Sequence, residues 1–546
     1  MKLKKLKLLA SVFIISLLSS MAFNKAMAEE KNPFRTFDTY KGIGYEQAYR
    51  PAFHFTSIKN WINDPNGLMY YDGEYHLFFQ HNPLGTGWGN MTWGHAVSTD
   101  LVHWKQLAHA ITPYGKGYVF SGTGVVDHNN SLGKQIGNTK TLVLMYSYAV
   151  DARKGFGILT PPKETKYYQG LAYSTDRGRT FKLLNDGAPV IPFQGRNVDP
   201  KGTERDPKLF WHEGSKKWVT LLWLGESSGG KVRIFSSDDL QKWKFESDIV
   251  RPWAHECFDL FELPVLDADG NLPNNPQKKW LIYDGSFDYE IGSFDGKKFK
   301  SEQALKNHKL GHWNAAQTFN NSPDGRRIIV GWLKKSDFWR KKMPFTEQLS
   351  FPAIMQIRRT PEGIRLYRWP VKEIEKLYGK QWRLPRGCSI SVANEELKNI
   401  DKECLDMSIE FTPGKDKDLE LNIRGSKLSF NATKNTIHFI SKSNLSKKST
   451  WDAKSVEEKK DRKNHRFKYD QYVMNDALNN KGTVKLRILV DRGSFEIFLN
   501  DGITVLTHSE LHDLDNRSIS FSGGSTLINS MKIHEVKSSW KTSAQK

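Results

Sequence analysis

The strongest constraint on the fold is a pattern that repeats through the first two-thirds of the chain. Two short apolar strands joined by a hydrophilic turn occur in GLMYYDGEYHLFF, KLFWHEGSKKWVTLLW and TFNNSPDGRRIIVGW, and more loosely in GTGVVDHNNSLGKQIGNTKTLVLMY and LFELPVLDADGNLPNNPQKKWLIYDG. Self-similarity at intervals of tens of residues indicates repeated structural units. Short strands between turn signals, with almost no helical periodicity, indicate an all-β protein.

A second element follows four of the five hairpins, and it is a polar turn with an aspartate before an aromatic-bearing strand. These turns are VSTDLVHWKQL with Asp100, YSTDRGRTFKLL with Asp176, SSDDLQKWKF with Asp238 and GSFDGKKFKSE with Asp295. A hairpin and the two strands around such a turn make a four-stranded unit. Five such units around an axis form a five-bladed β-propeller. An ordinary sandwich with coincidental turns is the alternative.

The chain changes character after the repeats. The propeller is predicted over residues 29–370, a helical or extended connector over 371–390, and a β-sandwich over 391–546, where short runs such as DLELNIRG and TIHFIS alternate apolar and polar residues. The LVDRGSFEIFLNDG segment of the sandwich holds three acids that are predicted to occupy turns and the solvent face: Asp491, Glu496 and Asp501.

The beginning of the sequence predicts export. Lysines precede an apolar stretch from Leu8 to Leu18, and small residues follow at Ala26-Met27-Ala28, which predicts a signal peptide over residues 1–28. The apolar stretch falls short of the ~20 residues that span a bilayer, and no later run approaches that length. We therefore expect a secreted protein, extracellular or periplasmic, without membrane insertion.

Charge and cysteine content restrict the partners. The formal net charge is +21, but the positive residues are dispersed and accompany no recognised nucleic-acid-binding motif, so no nucleic-acid partner is predicted. The three cysteines, Cys257, Cys388 and Cys404, have no spacing that would hold zinc or build a disulfide framework. No metal or other cofactor is predicted. Aromatic residues make up 12% of the chain, and such flat rings often line sugar sites.

Acidic residues recur at one phase of the repeat. The positions immediately before the first strand of each hairpin are Asp64, Ser121, Asp206, Glu256 and Gln317. The innermost strands of a propeller surround its axis, so these side chains are expected to face one funnel. Crowded carboxylates raise one another's pKa, which a purely structural site would avoid. Cleavage of a glycosidic bond with retention needs an ionised nucleophile and a protonated acid about 5–5.5 Å away.

The acid Asp64 lies in a run of turn-forming residues, Asn63-Asp64-Pro65-Asn66-Gly67. Pro65 fixes the backbone after Asp64, and Gly67 permits a following turn. The sequence thus predicts a stiff loop that presents the carboxylate.

The sequence resembles glycoside hydrolase family 32, the invertases, inulinases and levanases. The resemblance runs from about Phe53 to Pro370 and extends into the C-terminal region. The motifs that carry it are WINDPNG, FFQHNP, FSGTG, ERDPKLFW, HECFDLFELP, AAQTF, IIVGW and PFTEQLSFP, and they occur in the family's order. Departures from the family pattern are Phe258, the FSGT form of the Ser121 motif and the Trp313-Asn314 pair, which concern the shape beyond the first sugar.

The resemblance implies a five-bladed propeller followed by a sandwich, and hydrolysis of β-fructofuranosides with retention and without a cofactor. It implies that Asp64 is the nucleophile, Asp206 the transition-state stabiliser and Glu256 the general acid/base. The positions that it places around the fructosyl pocket are Asn63, Gln80, Trp88, Phe120, Ser121, Arg205 and Trp332. The pKa of Glu256 is expected to be raised by burial and neighbouring charge.

The expected activity is hydrolysis of fructans such as levan or inulin, with sucrose as a smaller substrate, and exo-attack that releases fructose. Endo-levanase action and fructosyl transfer on the same scaffold are alternatives, and so is a non-catalytic fructan-binding propeller. A five-bladed arabinan-type hydrolase also uses three acids, but NDPNG with a C-terminal sandwich favours the fructosidase. Linkage preference and oligomeric state stay open.

Overall fold

A computed structural model describes residues 40, 42–150, 165–200, 202–226, 229–307, 310–336, 338–414, 418–442 and 471–540. The predicted signal peptide lies outside these residues. The described chain confirms the predicted all-β class: a five-bladed propeller is followed by a β-sandwich.

The first four blades are antiparallel sheets whose strands follow one another along the chain. Blade I consists of Asn60–Tyr71 (β1), Glu74–Asn82 (β2), Thr92–Ser98 (β3) and Lys105–Ile111 (β4), and blade II of Tyr118–Asp127 (β5), Thr141–Val150 (β6), Lys166–Ser174 (β7) and Lys182–Leu183 (β8). Blade III consists of Arg205–His212 (β9), Lys217–Glu226 (β10), Gly229–Ser237 (β11) and Lys244–Arg251 (β12), and blade IV of Asp259–Leu266 (β13), Lys278–Tyr283 (β14), Asp288–Phe294 (β15) and Phe299–Asn307 (β16).

The fifth blade closes the propeller. Its region contains Leu310–Gly311 (β17), Trp313–Thr318 (β18), Arg327–Leu333 (β19), Phe345–Thr346 (β20), Gln348–Leu349 (β21), Ala353–Thr360 (β22) and Gly363–Pro370 (β23). Blade V proper is β18-β19-β22-β23, while β20 runs parallel to β1 and so ties the last blade to the first. The innermost strands of the five blades are β1, β5, β9, β13 and β18.

Aspartate turns join the third and fourth strands of blades I to IV, as the repeat predicts. Asp100 Oδ1 accepts the backbone N–H of His103 at 2.9 Å, and Asp295 Oδ1 accepts that of Lys298 at 2.7 Å. In blade III the equivalent residue is Asp239, whose Oδ1 accepts Lys242 N–H at 2.7 Å, whereas Asp238 binds the Lys217 ammonium at the surface. The assignment of that turn to Asp238 is therefore wrong by one residue.

The sandwich packs two sheets around an apolar core. Its strands are Tyr378–Arg383 (β24), Cys388–Ser389 (β25), Leu405–Thr412 (β26), Asp418–Ile423 (β27), Ser426–Asn431 (β28), Thr436–Ile440 (β29), Gln471–Asn475 (β30), Val484–Asp491 (β31), Ser494–Leu499 (β32), Thr504–Ser509 (β33), Ile519–Gly523 (β34) and Leu527–Val536 (β35). One sheet has the order β33-β32-β31-β26-β35-β24, and the other β30-β29-β28-β27-β34.

Helices are few. The α-helix Ile390–Leu397 (α1) begins after Ser389, whose side chain accepts the N–H of Val392, and the 3-10 helices are Leu184–Gly187, Phe338–Lys341, Lys372–Leu377 and Asn500–Gly502. Among the described residues, none of these reaches the length and apolar character that a membrane crossing needs. Within the predicted connector 371–390, β24 already pairs with β35 of the sandwich.

The propeller and the sandwich meet at a buried ionic junction. Both ring nitrogens of His54 contact carboxylates: Nδ1 is 2.8 Å from Asp491 Oδ2, and Nε2 is 2.8 Å from Glu496 Oε1. Asp491 also accepts the backbone N–H groups of Ala52 and Phe53. The exposed fraction is 0% for Asp491 and 2% for Glu496, so the prediction that these two acids face solvent is wrong.

The third acid of that segment behaves as predicted. Asp501 lies in a surface turn, where its carboxylate pairs with Lys485 at 3.0 Å. The alternation of apolar and polar residues along β31 and β32 thus distinguishes the two faces of the sheet, but the propeller covers one of those faces.

Candidate active site

The stretch Asn63 to Gly67 is part of a continuous strand rather than a turn. Strand β1 runs through it, and its register against β2 shifts between Ile62 and Pro65, which leaves Asn63 and Asp64 as a bulge opposite Gln80. Gly67 has φ of +58°, and a Cβ there would lie 2.6 Å from the Phe78 ring. The predicted stiff loop is therefore wrong, and a bulged inner strand presents the Asp64 carboxylate.

Similar irregularities occur in other inner strands. The register of β5 shifts between Val119 and Gly122, next to Ser121, and that of β18 shifts between Asn314 and Gln317. Four of the five positions predicted to precede the strands thus lie within them, and only Glu256 precedes its strand, β13. The three acids nevertheless occupy equivalent places in their blades, because Asp64, Asp206 and Glu256 come together.

Three carboxylates from blades I, III and IV share one set of partners. The Cys257 thiol lies between two of them, with Sγ 3.5 Å from Asp206 Oδ2 and 3.9 Å from Asp64 Oδ2. Arg205 connects the other pair, with Nη2 2.5 Å from Glu256 Oε2 and Nε 3.5 Å from Asp206 Oδ2. These contacts place all three acids in one cluster.

Further hydrogen bonds orient the cluster. The Ser121 hydroxyl donates to Asp64 Oδ2 at 2.6 Å, and the Asp206 backbone N–H donates to Ser147 Oγ at 2.9 Å. Asp206 and Cys257 both have left-handed backbones, with φ of +59° and +54°. Such a conformation costs a non-glycine residue of order 1–3 kcal/mol, and it is common where a functional side chain must be aimed.

The environment separates the pKa values of the three acids. Burial and the charge of Glu256 raise the pKa of Asp64 against the Ser121 hydrogen bond. Burial raises the pKa of Asp206 to about 7 against the attraction of Arg205. Burial also raises the pKa of Glu256, but Arg205 and His255 outweigh it, so the net pKa of Glu256 is lower than usual. The expectation of a raised pKa for Glu256 is therefore wrong in this arrangement.

The aromatic residues predicted for the pocket form one cluster. Trp88 and Phe120 stack with ring centroids 6.1 Å apart, and Trp332 meets Trp61 edge-to-face at 6.1 Å. All four belong to one cluster with Tyr167, in which Trp61 and Tyr167 are buried and the other three rings are partly exposed. This group lies on the same side of the blades as Ser121, which follows Phe120 directly.

The two predicted amides are placed differently. Asn63 accepts a hydrogen bond from Trp61 Nε1 at 2.8 Å, whereas Gln80 is 1% exposed and neither polar atom of its amide has a hydrogen-bond partner among the described residues. Leaving a buried polar group unpaired costs about 1–3 kcal/mol. Gln80 lies opposite the Asp64 bulge, so its amide is positioned for an external hydrogen-bonding group.

Several residues near the acids were not predicted. The charge of Lys334 lowers the pKa of Asp64, after the hydrogen bonds from Ser121 and Asn63, and His255 Nε2 lies 3.5 Å from Glu256 Oε1. The Arg205 guanidinium lies over the Trp223 ring, 4.4 Å from its centroid. Strand alternation could have identified Lys334, because it is two residues after Trp332 on β19 and its extension.

Two of the departures from the family pattern lie in the interior. Phe258 is 2% exposed and packs beside Trp253, and Trp313 is 3% exposed beneath the guanidinium of Arg368. Among the described residues, no group of three or more His, Cys, Asp or Glu side chains is arranged to hold a metal ion.

A propeller that gathers three carboxylates in one cluster with an arginine and an aromatic rim has the arrangement expected of a glycoside hydrolase. Comparison with known families makes the assignment specific: the model of the "Glycosyl hydrolases family 32 N-terminal domain" matches residues 54–370, and that of "Glycosyl hydrolases family 32 C terminal" matches residues 373–535. The chain therefore belongs to glycosyl hydrolase family 32.

Individual relatives agree with this assignment. A levanase of Bacillus subtilis is 34% identical over 98% of this chain and 76% of its own length, and an extracellular exo-inulinase of Aspergillus ficuum is 28% identical over 91% and 96%. The crystal structure of exo-inulinase from Aspergillus awamori superposes with a TM-score of 0.74 at 26% identity, covering 91% of this chain and all of that one.

Proposed function

We propose that the protein is a secreted, retaining β-fructofuranosidase that releases fructose from the ends of fructans and also cleaves sucrose. The observation that carries the proposal is the joining of Asp64, Asp206 and Glu256 through Cys257 and Arg205. Two carboxylic groups suffice for cleavage with retention, and a third can stabilise positive charge at the sugar.

In the first step Asp64 attacks the anomeric carbon C2 of the terminal fructosyl unit. The bond from C2 to the leaving oxygen breaks, and the Glu256 proton moves to that oxygen. Asp206 lies beside both groups and stabilises the positive charge that develops on the ring. The Cys257 thiol stays protonated, because burial and the three acids raise its pKa well above its usual value.

In the second step water attacks C2 of the fructosyl-enzyme and the bond to Asp64 breaks. Glu256 now takes a proton from that water. Esterification of Asp64 has removed one negative charge near Glu256, which lowers the pKa of Glu256 and keeps it ionised, ready to accept the proton of the water. The same residue thereby acts first as acid and then as base.

The Arg205–Glu256 bond has a consequence for the first step. Glu256 must hold a proton, but the guanidinium stabilises its ionised form. The mechanism therefore requires that sugar hydroxyls draw Arg205 away from Glu256 when the substrate binds. Burial raises the pKa of Asp206 to about 7, so this neighbouring carboxyl can exchange a proton near neutral pH.

The substrate class is supported by the named relatives, a levanase and two exo-inulinases. The exo-inulinase structure matches 91% of this chain, which supports attack at a chain end. The unpaired Gln80 amide and the aromatic cluster around Trp88 add groups suited to sugar hydroxyls and to a sugar face.

Product separation tests the proposal directly. The protein is incubated with levan, inulin and sucrose, and early products are resolved by chromatography. Fructose as the first product from both polymers supports exo-hydrolysis, whereas a ladder of short oligosaccharides means endo-attack. Growing oligosaccharides from sucrose mean transfer, and no product from any of the three overturns the proposed activity.

Export is tested separately. The full chain is produced in a bacterium with a functioning secretion system, and the N-terminus of the protein in the culture fluid or periplasm is sequenced. A mature chain that begins at Glu29 supports the signal peptide over residues 1–28. Retention of the whole chain inside the cell contradicts it.

A further inference from the structure

The propeller has a second cavity at the end of its axis away from the acids, and its volume is about 550 Å³. We call it the lower mouth. Its walls are formed by Val126 of blade II, Phe210 and Trp211 of blade III, Phe261 and Trp280 of blade IV, and Asn321, which follows β18. A volume of this size lies within the range of small-molecule sites in proteins.

The lower mouth is separate from the acid cluster. On β5, Val126 lies five residues beyond Ser121, and on β9, Phe210 lies four residues beyond Asp206. Strands advance about 3.3 Å per residue, so the two sites are ~15 Å apart along the axis. The axis between them is filled by paired polar groups: Asn320 Nδ2 donates to Gly124 O at 2.8 Å, and Lys208 binds Asp259 at 3.0 Å.

The walls combine aromatic faces with polar side chains. Trp211 and Trp280 are half-buried, so each leaves part of its indole open, while Phe210, Phe261 and Trp218 lie deeper. Trp280 is fixed in place by Phe294, with centroids 5.1 Å apart, and Phe210 at 5.8 Å. Rigid indole rings offer large contact area at little entropic cost.

The polar groups of the lower mouth favour an uncharged ligand. Asn129, Asn321 and His128 are exposed at its edge, and Asn321 Nδ2 lies 3.3 Å from His128 Nε2. Glu213 accepts a hydrogen bond from Trp211 Nε1 at 2.8 Å. Glu262 and Arg327 also line the cavity, so charges of both signs are present and neither sign of ligand is strongly favoured. Indole faces flanked by amides and carboxylates match the alternating apolar faces and hydroxyls of a neutral sugar.

We propose that the lower mouth is a second, non-catalytic carbohydrate site that binds an internal segment of a fructan chain. The identity of the sugar rests on the proposed function, whereas the site itself rests on the cavity and its walls. A polymer is long enough to contact both ends of the propeller, so this site raises its effective concentration near the acids. Sucrose is too short to do so.

Binding stoichiometry tests the site. Asp64→Ala stops turnover, and this variant is titrated with the tetrasaccharide nystose by calorimetry, with and without Trp280→Ala. We expect two binding events in Asp64→Ala, of which Trp280→Ala weakens one by about tenfold or more, as expected for loss of a central aromatic contact. Phe245→Ala is the matched control, because Phe245 is 48% exposed on blade III outside the cavity.

A second variant protects the test against misfolding. Asn129→Trp fills the opening without removing a packed ring, at an exposed position of the cavity edge, and it is expected to abolish the same binding event. In the otherwise unmodified enzyme, either variant should raise KM for long-chain inulin about threefold or more and leave kcat and KM for sucrose unchanged.

The outcomes separate this proposal from the proposed activity. A single binding event in Asp64→Ala, or two events that neither Trp280→Ala nor Asn129→Trp changes, overturns the second site even if fructans are hydrolysed. Failure to hydrolyse any fructan overturns the proposed activity, and nystose binding that depends on Trp280 would still establish the site.

Discussion

The molecule buries carboxylates in two places, and their partners differ. In the acid cluster, Arg205 contacts Asp206 and Glu256, and the pKa values of Asp64 and Asp206 are raised. At the junction, Asp491 receives His54 and several backbone N–H groups, and its pKa is held well below its usual value.

The difference shows how the same side chain acquires a structural or a chemical role. At the junction every lone pair of the acid finds a donor, so the charge stabilises the fold. In the acid cluster each carboxylate receives fewer donors, and Cys257 and Arg205 are each divided between two acids, so protons remain exchangeable near neutral pH. The number of donors per carboxylate therefore separates the two roles, together with burial, which is complete for Asp491 and partial for Asp64 and Glu256.

The largest effect is expected from Asp64→Ala. This change removes the proposed nucleophile and should lower kcat on sucrose by about 10⁴-fold or more. The melting temperature should stay the same or rise, because a repelling charge leaves the cluster. Initial rates and thermal unfolding measure the two quantities. A marked loss of stability would contradict the contrast with the junction.

The reverse pattern is expected from Asp491→Ala. Breaking a buried ion pair by removing one partner should lower the free energy of unfolding by about 3–5 kcal/mol. The molecules that remain folded should keep the kcat of the unmodified protein, because Asp491 belongs to the junction. Denaturant unfolding and active-site-normalised rates check this. Full stability with reduced kcat would reverse the roles assigned to the two groups.

The junction should also respond to alkaline pH. Burial lowers the pKa of His54, but the hydrogen bonds to Asp491 and Glu496 outweigh it and raise the pKa from 6.5 to about 9. The contribution of protonated His54 to the free energy of unfolding is therefore complete below pH 6.5 and is lost as pH rises through 9. This contribution is about 3 kcal/mol in total.

Unfolding of the unmodified protein and of His54→Gln is compared across this pH window. The slope of stability against pH attributable to His54 should disappear in the variant. An equal slope in both proteins would mean that another group titrates there.

A smaller shift is expected at the acid cluster from Arg205→Met. Loss of the guanidinium raises the pKa of Glu256, so the general acid stays protonated to higher pH. The alkaline limb of kcat/KM should move upward by about one pH unit, although the overall rate also falls. Arg177→Met, at an exposed pair with Asp72, is the control. An unmoved limb would show that Arg205 does not control this proton.

The smallest effect is expected from Gln80→Leu. Removing a buried, unpaired amide should raise the free energy of unfolding by about 1 kcal/mol and raise KM for sucrose. Gln106→Leu is the matched control, because the Gln106 carbonyl oxygen accepts hydrogen bonds from Ser57 and Ile58, so its loss should destabilise. Destabilisation by both variants would show that Gln80 has protein partners after all.

The sequence predicted the fold class and the gathering of the acids because both depend on the repeat. Equivalent positions of successive blades must face one axis, so the shared position of Asp64, Asp206 and Glu256 within the repeat was sufficient to predict that they meet. Local backbone shape was not predictable in the same way. Asn63 to Gly67 has the composition of a turn, but pairing with β2 holds it as a bulged strand.

The errors share a physical cause. The alternation around Asp491 and Glu496 identifies a polar face, but it cannot show that His54 and the propeller cover that face. The expected pKa of Glu256 counted burial and like charges, while the outcome depends on the orientation of Arg205, a single side-chain rotamer. Asp238 and Asp239 are adjacent and identical in sequence, and only the structure shows that Asp239 accepts the backbone N–H groups of the turn.

The junction also orders events during synthesis of the chain. The backbone N–H groups of Ala52 and Phe53 find their acceptor, Asp491, 439 and 438 residues later, and the Trp540 indole donates to the Pro51 carbonyl across 489 residues. A ribosome therefore releases the whole propeller sequence before the segment that precedes the first blade can complete its contacts. Until the final strands emerge, these backbone groups remain bonded to water.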